Sequence, residues 1–132
     1  MIALDTNVLV RFLVEDDKAQ SEKATRLIRR AIASGEALFV SDLVLCETVW
    51  VLLAAYRVSK DEAGAVLTRL LKARHLRFSD HGSLSRALES FLAGKGDFAD
   101  YLIREHARAA GCDEVATFDR ALLKEKGFTA PR

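Results

Sequence analysis

Apolar residues recur along this chain in short runs that alternate with longer stretches of helical periodicity. The first run, Met1–Leu4, ends at Asp5 and turns at Thr6–Asn7 into a second apolar segment. A run of this length bounded by a turn favours a buried strand, and the apolar residues after the turn favour a helix that packs back on it. We therefore expect Asp5 at the carboxyl end of a central strand, where ligands bind in open α/β sheets.

The rest of the chain continues the same alternation. Three more apolar runs predict strands at Ala37–Val40, His75–Ser79 and Glu114–Phe118. Helical spacing, the Ser41-Asp42 cap and the Ser59 capping box predict helices at Glu15–Ala33, Leu43–Tyr56, Ser59–Lys72, Leu84–Ala93, Asp97–Ala110 and Asp119–Lys126. Asp80–Gly82 is expected to be a turn and Gly94–Gly96 a flexible linker. Strands that alternate with helices predict a parallel sheet covered on both faces.

Length and charge narrow the class of protein. With 132 residues, we expect one domain over residues 1–132. A net charge of +1 gives no global field toward nucleic acid or anionic lipid, so any contact with nucleic acid needs a local basic patch. The longest apolar stretch, Leu43–Ala55, contains Glu47 and is shorter than a bilayer span, and no charged segment precedes a signal-like core. We expect a cytoplasmic protein with no membrane contact.

Cysteine usage argues against a zinc site. Cys46 and Cys112 are not in CxxC spacing and have no accompanying histidine ladder. Two buried thiols in a reducing compartment are the simpler expectation.

Glu47 is the most informative single residue in the sequence. Its neighbours at helical spacing are Leu43, Val44, Trp50 and Val51, which predicts that it lies on an apolar face. An unpaired carboxylate there would cost several kcal/mol, so Glu47 should be paired, protonated or bound to a cation. Ion pairing with an arginine such as Arg11, or exposure at the helix end, remains an alternative to a metal site.

Further acids follow strands or begin helices: Asp5, Asp97, Asp100 and Asp119. Each has a simple alternative role as a helix cap, and Thr6 could cap the first helix in place of Asp5. Asp97 and Asp100 also suit the positive N-terminus of one helix. Carboxylates that converge at one edge of a parallel sheet repel one another unless a hard cation lies among them, which favours Mg²⁺ or Mn²⁺ over Zn²⁺. Such a cluster is suited to phosphodiester hydrolysis.

Four segments, in order and spanning the chain, resemble a known family. LDTNVLVR begins at Leu4, SDLVLCETVWVL covers residues 41–52, DFADYLIREHARAAG covers 97–111, and VATFDR covers 115–120. They are similar to the motifs of single-domain PIN-fold ribonucleases, particularly the VapC-type toxins of prokaryotic toxin–antitoxin pairs.

This resemblance implies a role for each acid. Asp5 would be the first metal ligand and Asp100 its principal partner, with Glu47 and Asp119 as the second and fourth acids and Asp97 as an additional acid. Asn7 and Thr117 match polar positions that support the acids by hydrogen bonds, and Thr6 is grouped with them. The implied cofactor is Mg²⁺, with Mn²⁺ as the other candidate.

The resemblance also implies a fold, a reaction and partners. The fold is a parallel sheet of four or five strands, ordered 3-2-1-4-5, between helices. The reaction is endonucleolytic RNA cleavage by water, which leaves a 3′-hydroxyl and a 5′-phosphate. The expected partners are a second copy of the chain and a VapB-like antitoxin whose C-terminal segment covers the active-site groove. The segments expected to supply surfaces for these partners are Glu15–Ala33, Leu43–Tyr56 and Asp61–Leu71.

Basic residues near the acids are candidate RNA contacts. Arg11, Arg104 and Arg120 are the residues we assign to this role, although each also suits a solvated helix face. Arg104 could instead neutralise Asp100, which lies one helical turn away.

Two other classes of protein place an acid after the first strand. A phosphatase of the haloacid-dehalogenase type needs a second acid two residues later, where this chain has Asn7. A non-catalytic Rossmann-like or receiver-like module that binds a structural Mg²⁺ would have no use for Glu47. A receiver would also need an acidic pair near the first strand and a lysine after a late strand, and both are missing here.

Overall fold

Five short strands are interspersed with six α-helices and one 3-10 helix along the chain, where the apolar pattern predicts four strands between helices. The structure is a computed structural model, and it describes residues 1–132. It divides into unit 1, Met1–Ser79, and unit 2, Asp80–Arg132. The expectation of one domain over the whole chain stays a prediction. None of the helices has the length and apolar character needed to span a bilayer.

Unit 1 contains a three-stranded parallel sheet and four helices. The strands pair in the order β1-β2-β3, with Ile2 opposite Leu38 and Leu38 opposite Leu76. Helix α1 packs against α2 and α3, and α3 packs against α4. The elements are β1 (Ile2–Ala3), α1 (Thr6–Leu13), α2 (Lys18–Ser34), β2 (Leu38–Phe39), α3 (Asp42–Ala54), α4 (Lys60–Lys72) and β3 (Leu76–Arg77).

The helix starts of unit 1 follow from their capping residues. The Ser41 hydroxyl accepts the Val44 N–H at 3.2 Å. Ser59 caps α4 as predicted, since its hydroxyl accepts the Glu62 N–H at 3.1 Å, but the Glu62 carboxylate accepts the Ser59 hydroxyl at 2.9 Å rather than the main-chain N–H of a full capping box. Helix α2 begins three residues later than predicted, because Asp17 caps it. The observed helix starts at residues 42 and 60, each within one residue of the prediction, are therefore set by local hydrogen bonds.

Strand β1 differs from the prediction of a buried strand. Ile2 and Ala3 are exposed, and Leu4, directly after the strand, is buried. In its sheet β1 pairs only with β2, so one of its edges has no strand partner. The buried apolar residues of unit 1 lie around the sheet and under the helices, with Leu9, Leu38, Val40, Leu45 and Leu67 at most 1% exposed.

Unit 2 contains a helical pair and a second parallel sheet. Helices α5 (His81–Ala93) and α6 (Phe98–Ala109) pack against each other. Strand β4 (Val115–Ala116) pairs in parallel with β5 (Phe128–Thr129). The strand orders of the two units agree with the 3-2-1 and 4-5 segments of the predicted order.

Three details of unit 2 correct the sequence interpretation. His81 and Gly82 belong to α5 rather than to a turn, because the Asp80 carboxylate caps that helix by accepting the Ser83 N–H at 3.1 Å. The predicted last helix is only a short 3-10 helix, Leu122–Lys124. Strand β5 follows Gly127, which has a positive φ of 92°. No apolar run of sufficient length predicted this strand.

Candidate functional site

Asp5 lies at the carboxyl end of β1 and caps helix α1. Its Oδ1 accepts the Val8 N–H at 2.9 Å, so Asp5 and not Thr6 is the capping residue. The side chain is exposed. The hydrogen bond orients the carboxylate through one oxygen and leaves the other without a main-chain donor.

A groove beside Asp5 lies between α1 and α2. It has a volume of about 320 Å³ and its lining includes Asp5, Asn7, Arg11, Gln20 and Lys23. The groove therefore carries one acid, two amides and two bases on an otherwise apolar floor. The predicted support of the acids by Asn7 stays a prediction, although Asn7 and Asp5 share this groove.

Arg11 belongs to a polar network in unit 1 that joins helix α1 to Asp16, Gln20 and Tyr56. Its guanidinium donates to Asp16 Oδ1 at 2.6 Å, to Gln20 Oε1 at 2.7 Å and to the Tyr56 hydroxyl at 3.1 Å. The Tyr56 hydroxyl donates to Asp16 Oδ2 at 2.7 Å, and this bond, followed by the Arg11 contacts, lowers the pKa of Asp16. The alternative in which Arg11 pairs with Glu47 is wrong.

Glu47 is exposed, so the apolar face on which it was predicted to lie is not a buried one, and the alternative of an exposed carboxylate is the one observed. Helix α3 is apolar on nearly all sides, and its buried side is formed by Leu45, Thr48, Val49 and Leu52. Leu43 and Trp50, the apolar neighbours that suggested burial, are themselves 69% and 68% exposed. Glu47 therefore needs no compensating charge to be stable in unit 1.

The second group of acids lies in unit 2, where Asp97 and Asp100 form the first turn of α6. Asp97 is the N-cap residue, and its N–H donates to Asp100 Oδ2 at 2.9 Å. Asp97 is exposed and Asp100 is half-buried. The DxxD spacing thus forms part of a capping box, and Asp100 is oriented by it.

Asp119 holds the turn that leads into the 3-10 helix of unit 2. Its Oδ1 accepts the N–H groups of Ala121 and Leu122 at 2.8 and 3.3 Å. The Thr117 hydroxyl accepts the Asp119 N–H at 3.0 Å, so Thr117 supports the main chain of Asp119. Asp5, Asp100 and Asp119 thus share one arrangement: one carboxylate oxygen accepts main-chain N–H groups, and the other has no main-chain donor.

Asp100 is the acid whose surroundings are most unfavourable for charge. Burial is the main reason that its pKa is raised, and the negative charges of Asp97, Asp119 and Glu125 raise it further. The Asp97 N–H opposes this shift. A hard divalent cation prefers oxygen ligands, and its charge would offset both the burial of the Asp100 carboxylate and the repulsion from its acidic neighbours. Neither unit holds three or more acidic, histidine or cysteine side chains already grouped as a metal site.

Tyr101 and Glu125 were missed by the sequence interpretation. Tyr101 is fully buried, its hydroxyl donates to Glu125 Oε1 and Oε2 at 2.8 and 2.7 Å, and it accepts the Gly96 N–H at 2.9 Å. Gly94–Gly96 is thus fastened to α6 rather than being a flexible linker. A tyrosine directly after Asp100 was the only signal available, and nothing in the sequence indicated Glu125.

The candidate RNA contacts of unit 2 have different surroundings. Arg104 is 8% exposed and donates to the Lys126 carbonyl and to Ser90 Oγ, both at 2.8 Å. Its nearest carboxylate is Glu105, with Nε 3.8 Å from Oε2, so the pairing of Arg104 with Asp100 is wrong. Arg120 is exposed and lines a groove with Lys95 and Lys124. Arg120 is therefore accessible to RNA, whereas Arg104 is a buried structural residue.

The two cysteines differ in exposure. Cys46 is half-buried, and burial raises the pKa of its thiol to about 11. Cys112 is exposed, which corrects the expectation of two buried thiols.

Comparison with known proteins gives three similarities. A family model described as "PIN domain" matches residues 2–128. A curated VapC ribonuclease of Aquifex aeolicus (strain VF5) is 27% identical over 128 residues, which are 97% of this chain and 93% of that protein. The crystal structure of Mycobacterium tuberculosis VapC20, described as a sarcin-ricin loop cleaving toxin, matches with a TM-score of 0.43 and 22% identity over 90% of each chain.

Proposed function

Because the chain belongs to the PIN domain family, we propose that it is a metal-dependent endoribonuclease of the VapC type. The VapC ribonuclease of Aquifex aeolicus, which is similar over nearly the whole chain, supports this class of reaction. The observation that carries the metal requirement is the half-buried Asp100 carboxyl, whose pKa is raised by burial and by three neighbouring carboxylates. The phosphatase and the receiver-like module have no comparable support.

We assign Asp5 and Asp100 as the principal metal ligands, with Glu47, Asp97 and Asp119 as further acids. In Asp5, Asp100 and Asp119, main-chain N–H groups hold one carboxylate oxygen and fix the side-chain rotamer. The remaining oxygen of each is then a preorganised donor. Bound Mg²⁺ or Mn²⁺ would lower the pKa of the attacking water and neutralise charge on the phosphate.

The other residues of the site bind and orient. Thr117 holds the main chain at Asp119 through a 3.0 Å hydrogen bond. Arg11 and Arg120 are proposed contacts to RNA phosphates, Arg11 from the groove that contains Asp5 and Arg120 from the groove of unit 2. Thr6 and Asn7 directly follow Asp5 and are proposed to support it by hydrogen bonds.

The proposed partners are RNA, a VapB-like antitoxin and a second copy of the chain. The groove between α1 and α2 is open to a segment of antitoxin, since its lining combines an apolar floor with Asp5, Arg11 and Lys23. Light scattering of the purified chain tests the homodimer. Coexpression of the chain with a candidate VapB-like antitoxin, followed by copurification of the two proteins, tests the antitoxin.

The experiment that tests the activity is cleavage of an end-labelled mixed RNA by the purified, folded chain. It is run with Mg²⁺, with Mn²⁺ and with EDTA, beside the variants Asp5→Asn and Asp100→Asn. Asp113→Asn is the matched control, because Asp113 is an exposed acid of unit 2 outside the proposed site. We expect metal-dependent cleavage by the wild type and by Asp113→Asn, and none by the other two variants.

Two results would contradict the proposal. Cleavage that persists in EDTA would remove the metal requirement. Cleavage by Asp100→Asn at the wild-type rate would remove the assignment of the central ligand, whatever the activity of Asp5→Asn.

A further inference from the structure

We propose that Tyr101 and Glu125 form a positioning pair that sets the placement of Asp100 relative to Asp119. The inference rests on the proposed function, because it concerns two acids assigned there to the metal site. Neither residue of the pair is proposed to touch metal or RNA.

The position of the two residues in the fold is the first argument. Tyr101 follows Asp100 in α6, and Glu125 directly follows the 3-10 helix whose first N–H group, that of Leu122, donates to Asp119. A hydrogen bond between Tyr101 and Glu125 therefore joins the two segments that carry the acids. Because a single turn of 3-10 helix has little freedom in length, the position of Glu125 restrains the position of Asp119.

The strength of this connection is the second argument. The Tyr101 hydroxyl lies 2.8 and 2.7 Å from the two oxygens of Glu125, a charge-assisted bond that is stronger than one between neutral groups. The Gly96 N–H can only donate, and it donates to the same hydroxyl at 2.9 Å. The direction of the hydroxyl proton toward Glu125 is thereby fixed.

The fit of the chain around the pair is the third argument. A Cβ at Gly94 would collide with the Tyr101 hydroxyl and lie 2.5 Å from Glu125 Oε1, and a Cβ at Gly96 would lie 2.6 Å from Leu122 Cδ2. The Gly94–Gly96 segment thus packs directly on the pair and leads without slack into Asp97, whose N–H holds Asp100. The Tyr101 hydroxyl consequently restrains both acids of the α6 first turn.

The ring of Tyr101 is held independently of its hydroxyl. It packs edge-on to Phe128, with ring centroids 6.4 Å apart, and the Arg104 guanidinium lies 5.2 Å from its centroid. Tyr101→Phe should therefore keep the ring in place and remove only the bonds to Glu125 and Gly96. This makes it a specific test of the positioning role.

The experiment measures Mn²⁺ binding to the purified, metal-free chain by isothermal titration calorimetry, with Asp100→Asn as the reference for loss of the site. We expect Tyr101→Phe to weaken Mn²⁺ binding by about tenfold, the lower end of the effect of residues that orient metal ligands. In cleavage assays the half-saturating Mn²⁺ concentration should rise by a similar factor of about ten, while KM for RNA stays unchanged.

Ser83→Ala is the matched control for a general loss of stability. Ser83 is fully buried in unit 2, and its hydroxyl donates to Asp80 Oδ2 at 2.7 Å and accepts from the Arg86 guanidinium at 3.4 Å, so neither partner is one of the proposed metal ligands. It should lower the melting temperature as Tyr101→Phe does, but leave Mn²⁺ affinity unchanged.

Glu125 variants separate a positioning role from direct ligation. Glu125→Gln keeps an oxygen that accepts the Tyr101 hydroxyl and should retain most of the affinity, whereas Glu125→Ala should lose as much as Tyr101→Phe. The double variant Tyr101→Phe/Glu125→Ala should bind no more weakly than either single variant, because both remove the same bond. If Tyr101→Phe does not fold, the two Glu125 variants decide the question.

The outcomes separate a failure of the positioning pair from a failure of the proposed function. A wild-type chain without Asp100-dependent Mn²⁺ binding would overturn both. Wild-type binding that Tyr101→Phe leaves intact would overturn the positioning pair alone. Equal losses in Glu125→Gln and Glu125→Ala would also overturn it, because they would make the charge of Glu125, not its hydrogen bond, the important property.

Discussion

Arg104 should act on the stability of the fold and not on RNA binding. In Arg104→Ala the hydrogen bonds to the Lys126 carbonyl and Ser90 Oγ are lost, together with the contacts of the guanidinium over the rings of Tyr101 and Phe128, at 5.2 and 5.3 Å. The buried carboxylate of Glu105 also loses one of its three arginine neighbours. All of these groups lie in unit 2, on α5, on α6, and in β5 and the segment that leads into it.

The size of the effect follows from these contacts. Two hydrogen bonds from a charged donor contribute about 1.5 kcal/mol each. The desolvated guanidinium over the two aromatic rings adds about 2 kcal/mol. The free energy of unfolding should therefore fall by about 5 kcal/mol, which for a chain of this length lowers the melting temperature by roughly 15 to 25 °C.

Stability is measured by urea unfolding, with circular dichroism as the signal. RNA binding is measured at a temperature where the wild type and Arg104→Ala are both folded. Arg120→Ala is the comparison, since Arg120 is exposed and lines a basic groove. We expect Arg104→Ala to lose stability and keep its affinity for RNA. Arg120→Ala should keep its stability and lose affinity for RNA. The reasoning is refuted if Arg104→Ala unfolds like the wild type and binds RNA more weakly than Arg120→Ala.

Two further predictions concern titrating groups. Since the folded-state pKa of Asp100 is raised above its ordinary value of 3.8, the contribution of this carboxyl to stability is present at acid pH and lost as pH rises through the folded pKa. In EDTA, Asp100→Asn should therefore melt higher than the wild type at pH 7, with a gain that shrinks below pH 4; a gain that does not change with pH would contradict the assignment. With a thiol pKa of about 11, Cys46 should be alkylated by iodoacetamide at pH 8 at least about a hundredfold more slowly than a free thiol. Cys112 should react first, as mass spectrometry of peptides can show, and rapid modification of Cys46 in the folded chain would be inconsistent with its burial.

Local signals in the sequence were sufficient to place most elements. Ser41 and Ser59 fixed the starts of α3 and α4, because a capping hydroxyl acts within four residues and needs no tertiary information. The family motifs likewise predicted membership of the PIN domain family, and the match over residues 2–128 confirms it. Strand β5 escaped prediction because Phe128 and Thr129 do not lie in an apolar run, whereas the runs around the other two-residue strands indicated them.

The surroundings of the candidate site residues were harder to predict. The apolar neighbours of Glu47 indicated burial only on the assumption that α3 has one apolar face, and Leu43 and Trp50 on its exposed side show that it does not. Arg104 was predicted to be exposed or paired with Asp100, but its partners Ser90 and Lys126 are distant in sequence. Contacts of this kind depend on how helices and loops pack, which spacing along one helix does not contain.

The packing of Gly94–Gly96 against Tyr101 and Glu125 has a consequence for how this chain can vary. Because a larger side chain at Gly94 would occupy the space of both partners, a substitution there is tolerated only after Tyr101 or Glu125 has changed. These positions therefore form one epistatic group, in which the order of substitutions decides which sequences can be reached. A single-residue scan would describe Gly94 as intolerant, while larger residues there would be accepted only in variants that also change Tyr101 or Glu125.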